Sequence, residues 1–348
     1  MRRYLDNRLA FHASNYHEFT TRSRLMTFDI GTLAKHDTIF IDEDILMNCM
    51  IYSQIEITIS TLTKVLEQID AGSRLAKKIN AAFKAAAANA FFELPQIPYE
   101  SANDTISIRA DIPSFCKAEK FFFKKKSEEN NLLENSPPEE SIIFFKPQNL
   151  HPNAKYIILS ATADHKIYNY RFGENRIEFY NCERARYIGT LNQYLDDTMS
   201  RDSMNKNPGI IDRIVKATGV EDIITFKKYE RGYPYFGKTT GIDSLKGKDL
   251  NVIGTPNYPP FVYKLFVHTL GFNHYENANW NYRKVTHKGM KFKIMTFDEG
   301  AVRDVHFWIL ESELEQAVGR ARLLRERCTV NVFSNYPLGQ ANRKNPEY

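Results

Sequence analysis

The sequence has few cysteines, and none of them lies near another. Cys49, Cys116, Cys182 and Cys328 have neither zinc-knuckle nor redox spacing, and an iron–sulfur cluster would need an unusual arrangement of them. We expect reduced, mostly buried thiols. Long apolar runs are also missing: no stretch approaches the ~20 residues of a membrane span, and the N-terminus leads into no signal-peptide core. These absences argue against a membrane or secreted protein and predict a cytoplasmic one.

Neither sign of charge dominates the chain. Lys and Arg number 47 against 42 Asp and Glu, a formal net charge of +5. This balance permits a nucleic-acid partner without requiring one, and a soluble enzyme with a scattered basic surface explains it equally well. With 348 residues, 43% of them hydrophobic, the chain can form two domains, each with its own core.

Strand-like and helix-like patterns alternate along most of the chain. The apolar runs 38–41 and 156–159 predict strands covered on both faces. Between them, the helical spacing over 53–89 and the polar composition of 117–141 predict an insertion that ends in a disordered loop. The later alternation predicts a second, mostly parallel α/β sheet. Its predicted helices are 210–218, 261–270 and 313–325, and its predicted strands are 177–180, 223–226, 250–253, 292–297 and 329–333.

An acidic cluster follows the first strand. Asp42, Glu43 and Asp44 stand at its end. Phosphate chemistry that depends on Mg²⁺ needs such residues, because one carboxylate at a rigid strand end can hold the metal while a second orients a water. We assign the metal to Asp42 and the water to Glu43. Strand ends also carry acidic turn residues without any function, and these residues alone fit that alternative equally well.

A short hydroxyl-bearing segment follows the strand at 156–159. Ser160 and Thr162 flank Ala161 in a position where a loop could sense nucleotide on one side and a bound nucleic-acid strand on the other. Taken alone, such a tripeptide is an ordinary turn.

The helix predicted from residue 313 has the strongest pattern. Ser312 and Glu315 form a capping box that would fix its start. Gly319 costs roughly 1 kcal/mol inside a helix, which predicts that another group approaches closely there. The apolar face comprises Leu314, Ala317, Val318, Ala321 and Leu324, and the opposite side carries Gln316, Gly319, Arg320 and Leu323, with Arg322 at its edge.

Two arginines of this helix are candidates for contact with a γ-phosphate. A guanidinium that reaches in from a second domain gives planar, permanent positive charge to a transferring phosphoryl group. We assign this role to Arg320 and Arg322, with Gln316 between the two sides of the site. A basic surface helix with solvated arginines is the alternative.

In chain order, the acidic cluster, the Ser-Ala-Thr segment and the Gln-x-x-Gly-Arg-x-Arg of 316–322 resemble motifs II, III and VI of the superfamily 2 helicases. The segment 236–247 and the strand and Thr255 that follow it look like the motif V region. The resemblance implies that Gly241, Asp243 and Gly319 lie beside the nucleotide and that Thr255 contacts nucleic acid. Two positions depart from the pattern. Ile45 replaces a fourth Asp or His of motif II, and Leu323 stands where motif VI usually has its last arginine, one place after Arg322.

The resemblance implies an α/β protein of two RecA-like P-loop NTPase lobes that uses ATP and Mg²⁺ to move along DNA. The insertion is similar to the inserted arch of some repair-type and phage-type helicases. The expected divisions are 1–52 for part of the first lobe, 53–150 for the insertion, 151–168 for the end of the first lobe, and 169–348 for the second lobe.

The residues before Asp42 contain no glycine loop that could grip phosphate. Without the backbone donors and the lysine of such a loop, ATP loses most of its phosphate contacts. We therefore expect a truncated or split helicase that hydrolyses ATP poorly unless another chain supplies the loop.

One segment matches the phosphate-loop pattern in the wrong place. Residues 232–239 contain two glycines, Lys238 and Thr239 at the required spacing, but after the acidic cluster. Pro234 has no N–H, bulky aromatics fill the turn, and later glycines would break a following helix. We expect this segment to shape the junction between the lobes, and an NTPase that uses it as a phosphate loop is the alternative.

The stretch 280–293 is predicted to be a hairpin that mixes aromatic and cationic residues. Bases stack on aromatic rings while Lys and Arg follow phosphates. Trp280, Arg283, Lys284 and Lys288 are the candidates for contact with single-stranded DNA. A solvated edge hairpin is the alternative, and a non-enzymatic protein that binds single strands is the alternative for the whole chain.

Overall fold

The computed structural model describes residues 38–42, 44–100, 107–126, 139–146, 154–182, 185–195, 197–229, 234–239, 241–273 and 275–344. Within these ranges the strands form four sheets. The predictions made for residues 1–37 and for Glu43 lie outside them. None of the helices in the same ranges is long and apolar enough to cross a membrane.

The first sheet contains two parallel strands, β1 (Thr38–Asp42) and β6 (Lys155–Leu159), which confirms both predicted strands. Their pairing brings Asp42 next to Leu159 and so places the acidic cluster beside the Ser-Ala-Thr segment. One face of β1 is buried through Ile39 and Ile41. On the other face Phe40 is 68% exposed, so the expected burial on both faces was wrong for this strand.

The insertion between β1 and β6 is a mixed helix and sheet unit, not the helical one that was predicted. Its four strands are antiparallel, in the order 54–58, 141–145, 120–124 and 91–93. Residues 120–124 lie in the stretch predicted to be disordered, yet they form a strand because Phe121 and Phe123 alternate toward the core. Residues 127–138 lie outside the described ranges. The elements are β2 (Gln54–Thr58), α2 (Ile59–Leu66), α3 (Arg74–Ala88), β3 (Phe91–Glu93), α4 (Ile112–Lys117), β4 (Lys120–Lys124) and β5 (Ser141–Phe145), and α1 (Ile45–Cys49) precedes them.

The second main sheet has five parallel strands in the order 342–344, 190–194, 329–333, 250–253 and 223–224, which confirms a parallel second sheet. Residues 177–180, predicted as a strand, join no sheet, and the predicted strand 292–297 belongs to an antiparallel hairpin and not to this sheet. The strands are β7 (Thr190–Tyr194), β8 (Ile223–Ile224), β9 (Leu250–Ile253), β12 (Thr329–Phe333) and β13 (Asn342–Lys344). The helices before and between them are α5 (His165–Phe172), α6 (Arg201–Lys206), α7 (Ile210–Thr218) and α8 (Pro260–Thr269).

A hairpin and a long helix complete the fold. The strands β10 (Asn281–His287) and β11 (Met290–Thr296) pair in antiparallel fashion, as predicted. Helix α9 (Ala301–Gly319) follows them and begins well before the predicted start. Ser312 is therefore inside the helix and 1% exposed, and Gly300 holds the N-cap position. The capping box was wrong because apolar residues upstream extend the helix.

Helix α9 belongs to two hydrophobic cores at once. Its first half packs with β1, α1, α5 and α8 through Val305 and Ile309, among others. Its second half packs on the five-stranded sheet through Leu314 and Val318. Because one rigid helix enters both cores, it fixes where the first sheet lies relative to the second.

Candidate functional site

A cleft of about 350 Å³ lies at the C-terminal end of α9. It brings together residues from three of the predicted motifs, although those motifs are far apart in the sequence. Its walls include Asp44 from the acidic cluster, Ser160, Ala161 and Thr162 from the Ser-Ala-Thr segment, and Gln316, Gly319, Arg320 and Arg322 from the end of α9 and the turn that follows.

The Ser-Ala-Thr segment is held in place by its own hydrogen bonds and by α9. Ser160 Oγ accepts from the backbone N–H groups of Thr162 (3.1 Å) and Ala163 (3.0 Å). The Trp308 indole Nε1 donates to the carbonyl oxygen of Thr162 at 3.0 Å. The segment is therefore anchored to the helix that carries Gln316, so a shift of either one would be passed to the other.

The acidic side of the cleft is formed by a different residue from the ones predicted. Asp44 lines the cleft and is 2% exposed, whereas Asp42 is exposed at the end of β1 and does not line it. Asp44 Oδ1 caps α1 by accepting from the N–H groups of Leu46 (2.8 Å) and Met47 (3.1 Å). An aspartate directly before an apolar helical run is an N-cap signal, and the sequence contains it here.

The arginine side departs from the predicted helix. The helix ends at Gly319, and Arg320 is its C-cap, with the guanidinium Nε donating to the carbonyl oxygen of Gln316 at 3.2 Å. The turn that follows reverses the predicted faces: Leu323 is 2% exposed and Leu324 is 50% exposed. Helical spacing no longer applies past residue 319, so these two assignments were wrong.

Arg322 joins the motif V-like turn to this end of the helix. Its Nη2 donates to Asp243 Oδ1 at 2.8 Å, and this bond lowers the pKa of the Asp243 carboxyl. Arg322 has a φ of +62°, a left-handed conformation that is uncommon for a side chain of this size. Gly241 is also left-handed, with a φ of +74°. Neither Gly241 nor Asp243 lines the cleft, although both were predicted beside the nucleotide.

Gly319 faces open space. A Cβ added there would meet no protein atom within 4 Å. The close approach predicted at this glycine is therefore not made by any group among the described residues, and the space beside it belongs to the cleft.

A buried glutamate that the sequence analysis missed lies one turn before Gln316. Glu313 is 0% exposed. Its Oε1 accepts from the hydroxyls of Tyr52 (2.6 Å) and Tyr258 (2.8 Å), and its Oε2 accepts from the backbone N–H of Gly237 at 3.1 Å. Burial raises the pKa of the Glu313 carboxyl, and the three hydrogen bonds oppose that shift. An acidic residue in the apolar stretch of a helix is the signal that could have indicated it.

The hydrogen bond from Gly237 to Glu313 involves the segment that matches the phosphate-loop pattern. The N–H of Gly237 points to the Glu313 carboxylate, and Lys238 is exposed. No helix follows residues 234–239 before β9, among the residues that can be described. Gly232 and Tyr233 lie outside them. The segment lacks the loop-to-helix geometry that a phosphate loop requires.

Most of the residues predicted to contact nucleic acid face inward. Thr255 is 2% exposed, and its Oγ1 lies 2.8 Å from Ser334 Oγ and 3.1 Å from Asn335 Oδ1. Trp280 stacks on Tyr263 with 5.9 Å between ring centroids. Thr255, two residues after Leu250–Ile253, is held by hydrogen bonds, and Trp280 packs on an aromatic ring, so both side chains have partners within the protein.

The strand register decides which hairpin residues are accessible. Arg283 lies on the inner side and donates from Nη2 to the carbonyl oxygen of Asn279 at 3.3 Å. Lys288 is paired with Glu311, with Nζ to carboxylate distances of 2.9 and 2.7 Å. Lys284 is exposed on the outer face of the strands, and Lys288, in the turn, is exposed as well.

The outer face of the hairpin carries further cations that were not predicted. The register places Lys284 directly opposite Lys293, and Lys291 opposite Thr286 on the same face. Lys293 Nζ lies 5.5 Å from the centroid of the Tyr282 ring, which is 46% exposed. Like charges opposite each other destabilise a hairpin, so this face is suited to an anionic partner.

Within the described ranges, no group of three or more His, Cys, Asp or Glu could hold a metal ion by itself. Mg²⁺ in phosphate chemistry is commonly bound by one or two carboxylates together with substrate phosphates and waters. Asp42 and Asp44, at the end of β1, are the described carboxylates of the acidic cluster that could contribute in this way.

No family model and no curated protein matches this sequence. Among solved structures, one described as an XPD helicase is similar to this chain, with 15% sequence identity and a TM-score of 0.45, over 89% of this chain and 68% of that chain. At this TM-score the likeness supports no residue assignment.

Proposed function

We propose that this chain is a nucleoside-triphosphate-binding protein of the helicase class, with two RecA-like lobes and with ATP and Mg²⁺ in the cleft at the end of α9. The observation that carries the proposal is the convergence of Asp44, Thr162 and Arg320 on one cleft. An acidic strand end, a hydroxyl loop and a guanidinium are the groups that bind a metal, sense a nucleotide and neutralise a phosphate.

Each side of the cleft has a separate task in this proposal. Of the acidic cluster, Asp44 lines the cleft and would hold Mg²⁺ there, in place of the predicted Asp42, and Glu43 keeps its predicted role of activating water. Arg320 neutralises the γ-phosphate, and Arg322 exchanges its bond to Asp243 for one to phosphate. Gln316 bridges the two sides, and Ser160 with Thr162 passes the state of the nucleotide to the α9 helix through Trp308.

The described residues contain no glycine loop with phosphate-binding geometry. Binding of ATP is therefore expected to be weak, and hydrolysis is expected to need a loop supplied by residues outside the described ranges or by another chain. The proposed activity is ATP-dependent movement along DNA, with single-stranded DNA as the partner.

Substitution of Arg320 tests the nucleotide cleft. We expect Arg320→Ala to weaken the binding of a fluorescent ATP analogue with Mg²⁺ by about tenfold or more, because a charged hydrogen bond to phosphate is lost. Arg327→Ala is the matched control, since Arg327 is exposed, lies nearby in the sequence and does not line the cleft. Titration by fluorescence anisotropy measures both affinities.

The outcome that contradicts the proposal is equal affinity of the unchanged chain, the Arg320 variant and the Arg327 variant. Absence of any saturable binding would contradict it as well. Denaturation curves recorded for all three proteins show whether a loss of affinity comes from unfolding instead.

A second candidate function is binding of single-stranded nucleic acid without catalysis. The lysines on the outer face of the hairpin favour it, because they need no nucleotide to contact phosphates. In this case affinity for a single strand depends on salt and does not change when ATP and Mg²⁺ are added.

A further inference from the structure

The buried carboxylate of Glu313 connects three parts of the chain that are distant in sequence. Tyr52 lies just after α1, the helix that Asp44 caps on the acidic side of the cleft. Tyr258 lies just before α8, and Gly237 lies in the segment before β9. All three donate to one carboxylate, so its position is set by both sides of the molecule.

A carboxylate with no exposure to water is costly unless its oxygens are satisfied. Removal of an ionised group from water costs on the order of several kcal/mol. An apolar side chain would fill the same space without that cost. Directional hydrogen bonds provide what an apolar side chain cannot, because they fix rotation and translation of the helix as well as its packing. Glu313 makes three of them, at 2.6, 2.8 and 3.1 Å.

The location of Glu313 on α9 connects these bonds to the cleft. Gln316 follows it within one turn of the helix, and Arg320 follows at the helix end. A small rotation of α9 would move both of these side chains relative to Asp44. The bond from Tyr52 opposes such a rotation from the acidic side, and the bond from Gly237 opposes it from the other.

We infer that Glu313 is a positioning residue that holds Gln316 and Arg320 at a fixed place opposite the acidic side of the cleft. This inference rests on the proposed function, since it concerns the same nucleotide cleft. Glu313 does not line that cleft and acts through the helix.

Two variants separate the two sides of the contact. Glu313→Gln keeps an oxygen for the tyrosine hydroxyls but turns an NH₂ group toward the N–H of Gly237, so it breaks the link to that segment. Tyr52→Phe removes only the hydroxyl on the acidic side. Tyr336→Phe is the matched control, because Tyr336 is 1% exposed and its hydroxyl donates at 3.0 Å to Glu311, another α9 carboxylate.

The experiment measures two quantities on the full chain. Binding of the fluorescent ATP analogue with Mg²⁺ is expected to weaken by about three- to tenfold in Glu313→Gln and in Tyr52→Phe, and to stay unchanged in Tyr336→Phe. Amide hydrogen exchange of the peptide that contains Gly237 is expected to be faster in Glu313→Gln than in Tyr336→Phe. A general loss of stability would speed exchange in all three variants and would not single out this peptide.

The possible results distinguish the two proposals. If Glu313→Gln and Tyr52→Phe bind the analogue as tightly as the unchanged chain, Glu313 does not position the cleft, and the proposed function still holds. If the unchanged chain binds no analogue, the proposed function fails and this inference fails with it. Tyr258→Phe, which removes the third donor, provides the same comparison if Glu313→Gln does not fold.

Discussion

At the scale of single residues, burial determines the protonation state of side chains that the sequence identifies only as titratable. His306 lies within α9 and is 0% exposed. Its Nε2 lies 2.8 Å from Asn257 Oδ1, and its Nδ1 lies 2.9 Å from Thr296 Oγ1. Because the amide oxygen accepts, Nε2 carries the proton of the neutral ring and Nδ1 accepts from the threonine hydroxyl. Burial lowers the pKa of His306 to about 3.

This histidine predicts a loss of stability in acid. In the unfolded chain His306 takes up a proton near pH 6.5, whereas in the folded chain its pKa is about 3. The free energy of unfolding is therefore highest above pH 6.5 and falls as the pH drops toward the folded pKa. Between pH 6.5 and 4.5 the loss is about 2 kcal/mol. Urea unfolding at a series of pH values should show a smaller loss in His306→Gln.

The control for this measurement is His165→Gln, which removes an exposed imidazole. It should leave the acid limb of the stability curve unchanged. An acid limb in His306→Gln as steep as that of the unchanged chain would contradict the assignment of a neutral buried ring.

At the scale of elements, α9 and the turn after it organise both sides of the cleft. The N–H groups of Ile188 and Gly189, just before β7, both donate to the carbonyl oxygen of Leu323 at 3.0 Å. A Cβ on Gly189 would lie 2.6 Å from the carbonyl oxygen of Cys328 and 2.8 Å from that of Glu326. These are backbone atoms with little freedom to move, so the turn that carries Arg322 depends on a glycine at this place.

Gly189→Ala is therefore expected to lower the free energy of unfolding by about 1–3 kcal/mol, because backbone must shift to admit the methyl group. Gly319→Ala is the matched control: no protein atom lies within 4 Å of the added Cβ, and alanine favours the helix by up to about 1 kcal/mol. Urea denaturation measures both. Equal stability of Gly189→Ala and the unchanged chain would show that the turn relaxes without cost.

The same elements show where sequence periodicity stops being informative. The spacing of apolar residues correctly predicted β6, α7, α8 and β12, because each is bounded by local signals. The start and end of α9 were missed. Its true limits depend on two cores that bury Ser312 and Leu323, and both cores are built from residues far away in the chain.

At the scale of the whole molecule, the insertion is packed against the second half of the chain. Phe122 of β4 stacks on Phe261 of α8 with 4.6 Å between ring centroids, and His268 Nε2 lies 3.2 Å from the carbonyl oxygen of Phe92.

The net charge of +5 is small, but its distribution is uneven, because three lysines share the outer face of the hairpin.

This distribution predicts a local effect of charge on the binding of nucleic acid. Replacement of Lys284, Lys291 and Lys293 by Gln takes the net charge from +5 to 5 − 3 = +2. We expect weaker binding to a labelled oligothymidine and a salt slope smaller by about 2, since each phosphate contact with a single strand contributes about 0.7. Fluorescence anisotropy over a range of salt concentrations measures both quantities.

The matched control replaces three exposed lysines of the insertion, Lys64, Lys77 and Lys84, by Gln and changes the net charge equally. If both triple variants lose the same affinity, the effect comes from net charge and the hairpin is not the contact surface. Unchanged affinity in the hairpin variant would lead to the same conclusion.

The sequence by itself determined the alternation of strands and helices, the parallel second sheet, the hairpin, and the order of the Ser-Ala-Thr segment and the Gly-Arg-x-Arg segment. These features follow from local periodicity and residue type. Only the tertiary structure decided that Asp44 and not Asp42 lines the cleft, that Thr255 is buried, that Trp280 packs in an aromatic cluster, and that Glu313 joins Tyr52 to Gly237. These contacts join separate segments of the chain, and Tyr52 and Glu313 are 261 positions apart, so no local pattern contains that information.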